Sequence, residues 1–463
     1  MSTSQRSPLP AKPSLPFILL TLLLCTAWLV GGASRADALG QVVIRVAAWI
    51  ALIVALLMAP RPVHLDARPV AILLLAATLL VLAQLVPLPP AVWQGLSGRA
   101  MFAEAAAVSG QAQPWRPLAI VPGAALNAAA SLIVPITILV LVMGLAKRER
   151  SWLPGLLLVL IAISMLVGLL QFAGAGFNNP FVNDTPGQVS GTFANRNHFA
   201  LFLAMGCLIA PVWPFLGGRR SGWRGPIALG LVLLLALTIL ASGSRAGMIV
   251  GMLGMAFGLF LARHGVKREL RSAPRWVFSA LIAAIVGVIV IFVLISVVAG
   301  RAESINRIIA VEAVDDMRSR GMPTVLEMVR FYLPWGSGFG GFDPMFRIHE
   351  PFEILKFTYF NHAHNDFLEI VLDGGFPALI LLLAGLAWWL LASVKAWRSG
   401  SGFDNILPKV GSVMLLLILL ASTVDYPART PTIMAMMVIS GLWLGDTRPK
   451  PHGSSLPRGG QYL

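Results

Sequence analysis

The chain has 463 residues, 57% hydrophobic and 12% charged, with a mean hydropathy of +0.80. Soluble domains carry about 25% charged residues, so this composition excludes a soluble globular fold and predicts an all-α polytopic membrane protein. The net charge of +15 reads as the basic bias of cytoplasmic loops, not as a nucleic-acid surface. Its two cysteines, Cys25 and Cys207, lie in apolar runs and give no disulfide framework or cysteine metal site.

In chain order the apolar runs predict about twelve transmembrane helices: Leu15–Ala33, Gln41–Ala59, Pro69–Val86, Ala124–Ala146, Trp152–Ala173, Asn197–Phe215, Pro226–Ala241, Gly247–Ala262, Trp276–Ala299, Phe367–Leu391, Leu407–Thr423 and Pro431–Leu444. With the N-terminus in the cytoplasm, 21 of the 35 Lys and Arg fall in the cytoplasmic loops and tails, and both termini read as cytoplasmic. The first span has a basic lead (Arg6, Lys12) and an Ala36-Asp-Ala38 sequence that imitates a signal-peptide cleavage site. Its length and the spans after it favour an uncleaved anchor. Residues 1–16 and 446–463 are Ser/Pro/Gly-rich and are expected to be disordered cytoplasmic tails around a transmembrane domain of residues 17–445.

Three external segments stand out. Residues 87–123 carry Trp93 and Trp115 and read as interfacial. Residues 174–196 are polar and Asn/Gly-rich. Residues 300–366 form one long periplasmic loop with a basic-acidic helical start (301–322) and a Gly-rich middle, Gly336-Ser-Gly-Phe-Gly-Gly341. That middle offers backbone N–H groups for a phosphate nest. Without the strand and helix of a P-loop, a flexible surface loop is the better reading. Trp388 and Trp389 are expected to anchor the cytoplasmic end of their helix in the headgroup belt, and His198 to face a neighbouring helix.

Ionisable residues at a membrane boundary are costly and mark function by default. On the external side they occur at Gly191-Thr-Phe-Ala-Asn-Arg-Asn-His198, at the short turn Ser242-Gly-Ser-Arg-Ala-Gly247, and at His362-Ala-His-Asn-Asp366. The planar guanidinium forks of Arg196 and Arg245 suit a phosphate; the alternative is snorkelling to headgroups. The turn holding Arg245 is too short to need a charge for solubility. An imidazole titrates near pH 6.5, which makes His364 the best general-base candidate, with His362, Asn365 and Asp366 in support. Asn365 or Asp366 also suits a helix N-cap. His362, His364 and Asp366 alternate, but no convincing fourth ligand accompanies them, so no metal and no cofactor is expected.

With these motifs in place, the chain resembles the O-antigen ligase and polysaccharide polymerase family of bacterial inner membranes. The resemblance also includes Gln84-Leu-Val-Pro-Leu-Pro-Pro90, Trp115-Arg-Pro-Leu118 and the Gly336–Phe342 segment. The ligase pattern of His, then Asn, Ser or Gln, nine residues, Gly, two residues and Gly maps to His364, Asn365, Gly375 and Ala378, with Ala in place of the last Gly. The resemblance implies a GT-C-like, metal-independent, inverting glycosyltransferase of the inner membrane. It would move a glycan from an undecaprenyl-diphosphate carrier to a lipid A–core or growing-glycan hydroxyl on the periplasmic face. It also implies that Arg196 and Arg245 bind the diphosphate and that His364 is essential. The alternatives are a flippase for the same lipid-linked glycan and a protein O-oligosaccharyltransferase. Clustering of the polar residues at one face favours an enzyme over a transporter.

Overall fold

The computed structural model describes residues 12–59, 67–176, 179–182, 187–218, 220–272, 283, 320–355, 360–400 and 405–446. Among these, the apolar helices are α1 (Leu15–Val30), α2 (Leu39–Met58), α3 (Arg68–Ala83), α4 (Pro122–Met143), α5 (Leu153–Phe172), α6 (Arg196–Val212), α7 (Arg224–Ala241), α8 (Arg245–Ser272), α9 (Asp366–Arg398), α10 (Ile406–Ala421) and α11 (Pro431–Gly445). Seven of these segments, at α2 and α4–α9, are long and apolar enough to cross a membrane, and the other four are shorter. Each falls on one expected span. The remaining expected span, Trp276–Ala299, lies outside the described residues except for residue 283, as do 300–319 of the long loop and most of both tails. Helix α1 starts at Leu15, capped by Ser14, so the helical chain begins inside the segment expected to be tail.

Helix α6 is the axis of the bundle. After its polar first turn its sequence is apolar on every face, and 89% of its span is buried, as expected for a helix surrounded by protein. Helix α8 packs directly on it through Gly254 and Gly258. A Cβ on Gly254 would sit 2.5 Å from the Ala204 carbonyl oxygen, and one on Gly258 2.8 Å from that of Cys207. Small residues spaced in this way let helix backbones approach within the membrane.

A second, smaller core sits over one end of the bundle. Val325, Met328 and Tyr332 from the helix at 320–332 pack with Phe342, Met345 and Phe346, and with Leu372 of α9. The Gly-rich segment 336–341 joins the two cores, and here the structure corrects the expected surface loop. Helix α9 is broken at Gly375 (φ 61°, ψ −150°), and the segment fills the break. Ser337 and Gly338 donate to the Leu372 and Asp373 carbonyls, and Phe376 N–H donates to Pro334 O. Phe339 N–H donates to Gln84 Oε1 and Gly340 N–H to Asp373 Oδ2, so these amides serve the fold, not a phosphate nest.

The 87–123 segment caps the same end. It forms a two-stranded ribbon, with Pro87 opposite Pro117 and Leu88 opposite Arg116. Fully buried Arg99 ties it down by donating to the carbonyls of Ser97, Leu118 and Gly336. Trp93 is buried, with its indole N–H on Pro117 O, so only exposed Trp115 fits the interfacial reading.

Candidate functional site

The three polar motifs meet at one end of the bundle, around a residue that none of them contains. Asp425 lies in the turn between α10 and α11 and is 1% exposed. Its Oδ2 accepts from Asn197 Nδ2 at 2.6 Å and Asn195 Nδ2 at 3.1 Å, and its Oδ1 from Tyr426 N–H at 2.9 Å. Oδ1 also lies 3.5 Å from His364 Nδ1 and 3.6 Å from His198 Nε2. Burial alone would raise this carboxyl; the His198 and His364 rings beside Oδ1 and their charge hold it well below the usual carboxylate range.

Arg196 and Arg245 are brought together by the helices that they open. Asn195 caps α6 by accepting from Asn197 N–H. Ser244 accepts from Gly247 N–H at the start of α8 and donates to Asn197 Oδ1 at 2.7 Å. Glycine is required at 243, where φ is +63° and a Cβ would lie 3.8 Å from the Arg196 guanidinium. The half-buried Arg196 and exposed Arg245 therefore project from two adjoining helix N-termini, whose dipoles add to the attraction for an anion.

His364 adopts φ 51°, a left-handed conformation unusual for a non-glycine residue. Several bonds hold it there. Asn365 accepts from Leu368 N–H, the N-cap foreseen from sequence, and donates to Thr423 O. Asp366 N–H donates to Ser422 O, and Glu369 Oε2 accepts from Ala363 N–H. Strain of about 1–3 kcal/mol at such a residue persists only where the surroundings impose it, commonly at functional sites.

His362, His364 and Asp366 turn to three different partners. His362 Nδ1 lies 2.9 Å from Glu369 Oε1, and His364 faces Asp425. Asp366 accepts from Ser422 Oγ and Ala428 N–H. Tyr426 separates the histidines, with ring centroids 4.2 Å from His362, 5.0 Å from His364 and 5.1 Å from His198. Beneath them, Arg429 places its Nη2 3.1 Å from Glu369 Oε1 and 3.6 Å from Asp373 Oδ2, and its Nε 3.4 Å from Asp366 Oδ1. Burial opposes the charge of Arg429, and the three carboxylates outweigh it, holding the group above its usual value.

Sequence reasoning missed Asp425, Tyr426 and Arg429, although a signal existed. Asp425-Tyr-Pro-Ala-Arg429 is an ionisable cluster in a short turn between two spans. The argument that singled out Arg245 applies to it equally. His198 does face a neighbour, through Thr430 Oγ1 at 3.1 Å and Asp425.

Residues 230–383, which include Arg245 and the His362–Ala378 segment, match the family model described as O-antigen ligase. The match shows the resemblance read from the motifs and supports ligase- or polymerase-type activity in general. No curated protein matches the chain.

Proposed function

We propose that the chain transfers a glycan from an undecaprenyl-diphosphate carrier to an acceptor sugar hydroxyl at the periplasmic face of the inner membrane. The observation that carries this reading is the connected path His364–Asp425–Asn197–Ser244, which sets the imidazole beside the N-termini carrying Arg196 and Arg245. Two guanidinium groups there would stabilise the negative charge that grows on the diphosphate as the glycosidic bond breaks. Ionised Asp425 faces Nδ1 of His364. It favours the tautomer whose Nε2 lone pair is available to the acceptor hydroxyl, and it stabilises the imidazolium formed when that proton moves. Attack opposite the departing diphosphate inverts the anomeric carbon. The diphosphate bond supplies the driving energy, and no metal or cofactor is part of the reading.

The test is the glycan profile of a deletion strain with transfer measured in vitro from purified lipid-linked donor. Loss of polymer from lipid A–core while lipid-linked polymer accumulates identifies a ligase, and accumulation of single repeat units identifies a polymerase. Normal profiles of both glycans would overturn the reading.

A further inference from the structure

A cavity of about 770 Å³ opens beside the site and runs down the bundle between α2, α3, α9 and α11. Its wall along α9 extends from Asp366 to Trp389. The unbroken helix below Gly375, from Ala378 to Trp389, accounts for about 17 Å of this at 1.5 Å per residue, over half the depth of a bilayer's hydrocarbon core. The deep part is apolar, lined by residues such as Leu73, Leu382 and Met437. Trp388 and Trp389 belong to this wall, and Trp389 Nε1–H is bound to Ser412 O, so these two rings line the far end of the slot. The polar end, at the level of the site, holds Gln41, Arg45, Asn127, His362 and Arg429, together with the acids Asp37, Asp343 and Asp366.

Arg45 is the unusual group. It lies six residues into α2, about 9 Å below the helix start. Its guanidinium donates to Asn127 Oδ1 at 2.7 Å and to Gln41 Oε1 at 3.1 Å, both neutral. Its buried Nε has no hydrogen-bond partner, and no carboxylate of the described residues lies within ion-pair distance of it. The other arginines lining the slot face acids: Arg35 pairs with Asp37, and Arg429 with three carboxylates. A cation in a span without a counter-charge is held there at a cost, which an anionic ligand would offset.

We infer that this slot seats the acceptor as a phosphorylated acyl-chain lipid, with its chain among the α3, α9 and α11 residues and its phosphate on Arg45; the acceptor role rests on the proposed function. The charge decides between acceptor and donor. One uncompensated guanidinium suits a monophosphate, whereas the diphosphate needs the pair Arg196 and Arg245, which do not line the slot. Position agrees. His362 forms the slot wall, Tyr426 lies against its ring, and His364 lies on Tyr426. A headgroup in the mouth is therefore one aromatic layer from the base, with the donor on the far side.

Native mass spectrometry of the purified full chain tests this with three probes: monophosphorylated lipid A, the same lipid without its phosphate, and undecaprenyl diphosphate. The wild type should prefer the phosphorylated over the dephosphorylated lipid by about 10-fold or more, the value of a charge-assisted hydrogen bond. Arg45→Gln should cut that preference to about 3-fold or less, a loss of the same origin, and leave undecaprenyl diphosphate binding unchanged. Gly385 lines the slot, and a Cβ at this position would meet no other atom within 4 Å. Gly385→Trp should therefore weaken both acyl lipids alike, with an unchanged Tm as the check that the fold is kept. An unchanged phosphate preference in Arg45→Gln, or loss of undecaprenyl diphosphate binding in either variant, overturns the assignment. Because the readout is binding, a chain that behaves as stated but transfers no glycan refutes the proposed function and leaves the phospholipid seat standing.

Discussion

Asp425→Asn is the most demanding test of the site, because it keeps the shape and removes the charge. Five donors face the carboxylate, two at Oδ2 and three at or near Oδ1. An amide presents one oxygen, so all the donors at one of the two positions must meet an N–H. If the amide nitrogen takes the Oδ2 position, Asn195 and Asn197 lose their acceptor. Asn197 cannot rotate to compensate without giving up Ser244, which donates to its Oδ1. Two lost bonds to a charged group, at about 1.5–3 kcal/mol each, cost about 3–6 kcal/mol of stability before relaxation. Transfer should fall further, by about 10²–10⁴-fold in kcat, because His364 loses the partner that fixes its tautomer. KM for the lipid-linked donor should change little. Both are read by in vitro transfer and thermal unfolding in detergent. The pH dependence carries a sign. The Asp425 pKa is depressed in the fold, so its stabilisation is present above the unfolded value of about 3.9 and is lost as pH falls through the folded one. The wild type should therefore hold its stability down to about pH 4 and lose it below, and Asp425→Asn should lack that component. A folded variant with near-normal kcat and an unchanged pH–rate profile would show that Asp425 does not position His364.

The remaining expectations follow from the same contacts. His364→Ala should lower transfer by about 10²–10⁴-fold while carrier binding is retained, and Arg245→Lys, which keeps the charge but loses the fork, should reduce turnover; loss of carrier binding in His364→Ala equal to that in Arg245→Ala would refute this division of roles. Arg429→Met leaves Asp366, Glu369 and Asp373 without their shared cation and should cost about 3–5 kcal/mol, read as a lowered Tm; an unchanged Tm would mean that the cluster does not hold α9 to the α10–α11 turn. Gly375→Ala places a Cβ 2.1 Å from Pro334 O at φ 61° and should abolish accumulation of folded protein, whereas Gly385→Ala, facing open space, should be tolerated; equal yields would discount the break in α9. A reporter active only in the periplasm should be active when fused after Ser319 and silent after Arg271, and the reverse pattern would put the proposed chemistry on the wrong side.

Hydropathy alone determined the membrane class and located the apolar helices, because a chain in lipid must satisfy its backbone within each helix and its run lengths are fixed by bilayer thickness. The sequence also singled out His364, Arg196 and Arg245 as candidates, since isolated ionisable groups at a membrane boundary are conspicuous against an apolar background. It did not disclose what joins them. Asp425 and Arg429 sit in the α10–α11 turn, more than 50 residues beyond His364, and their roles follow from helix packing that no local pattern encodes. The Gly-rich segment shows the same limit: its composition reads as a mobile loop, yet its amides have partners because Gly375 breaks a helix 34 residues away. Nothing in the local sequence singles out Arg45. Only the tertiary structure set it among neutral partners at the head of a long apolar slot, because a charge's meaning in a membrane protein depends on which counter-charges the fold brings within reach.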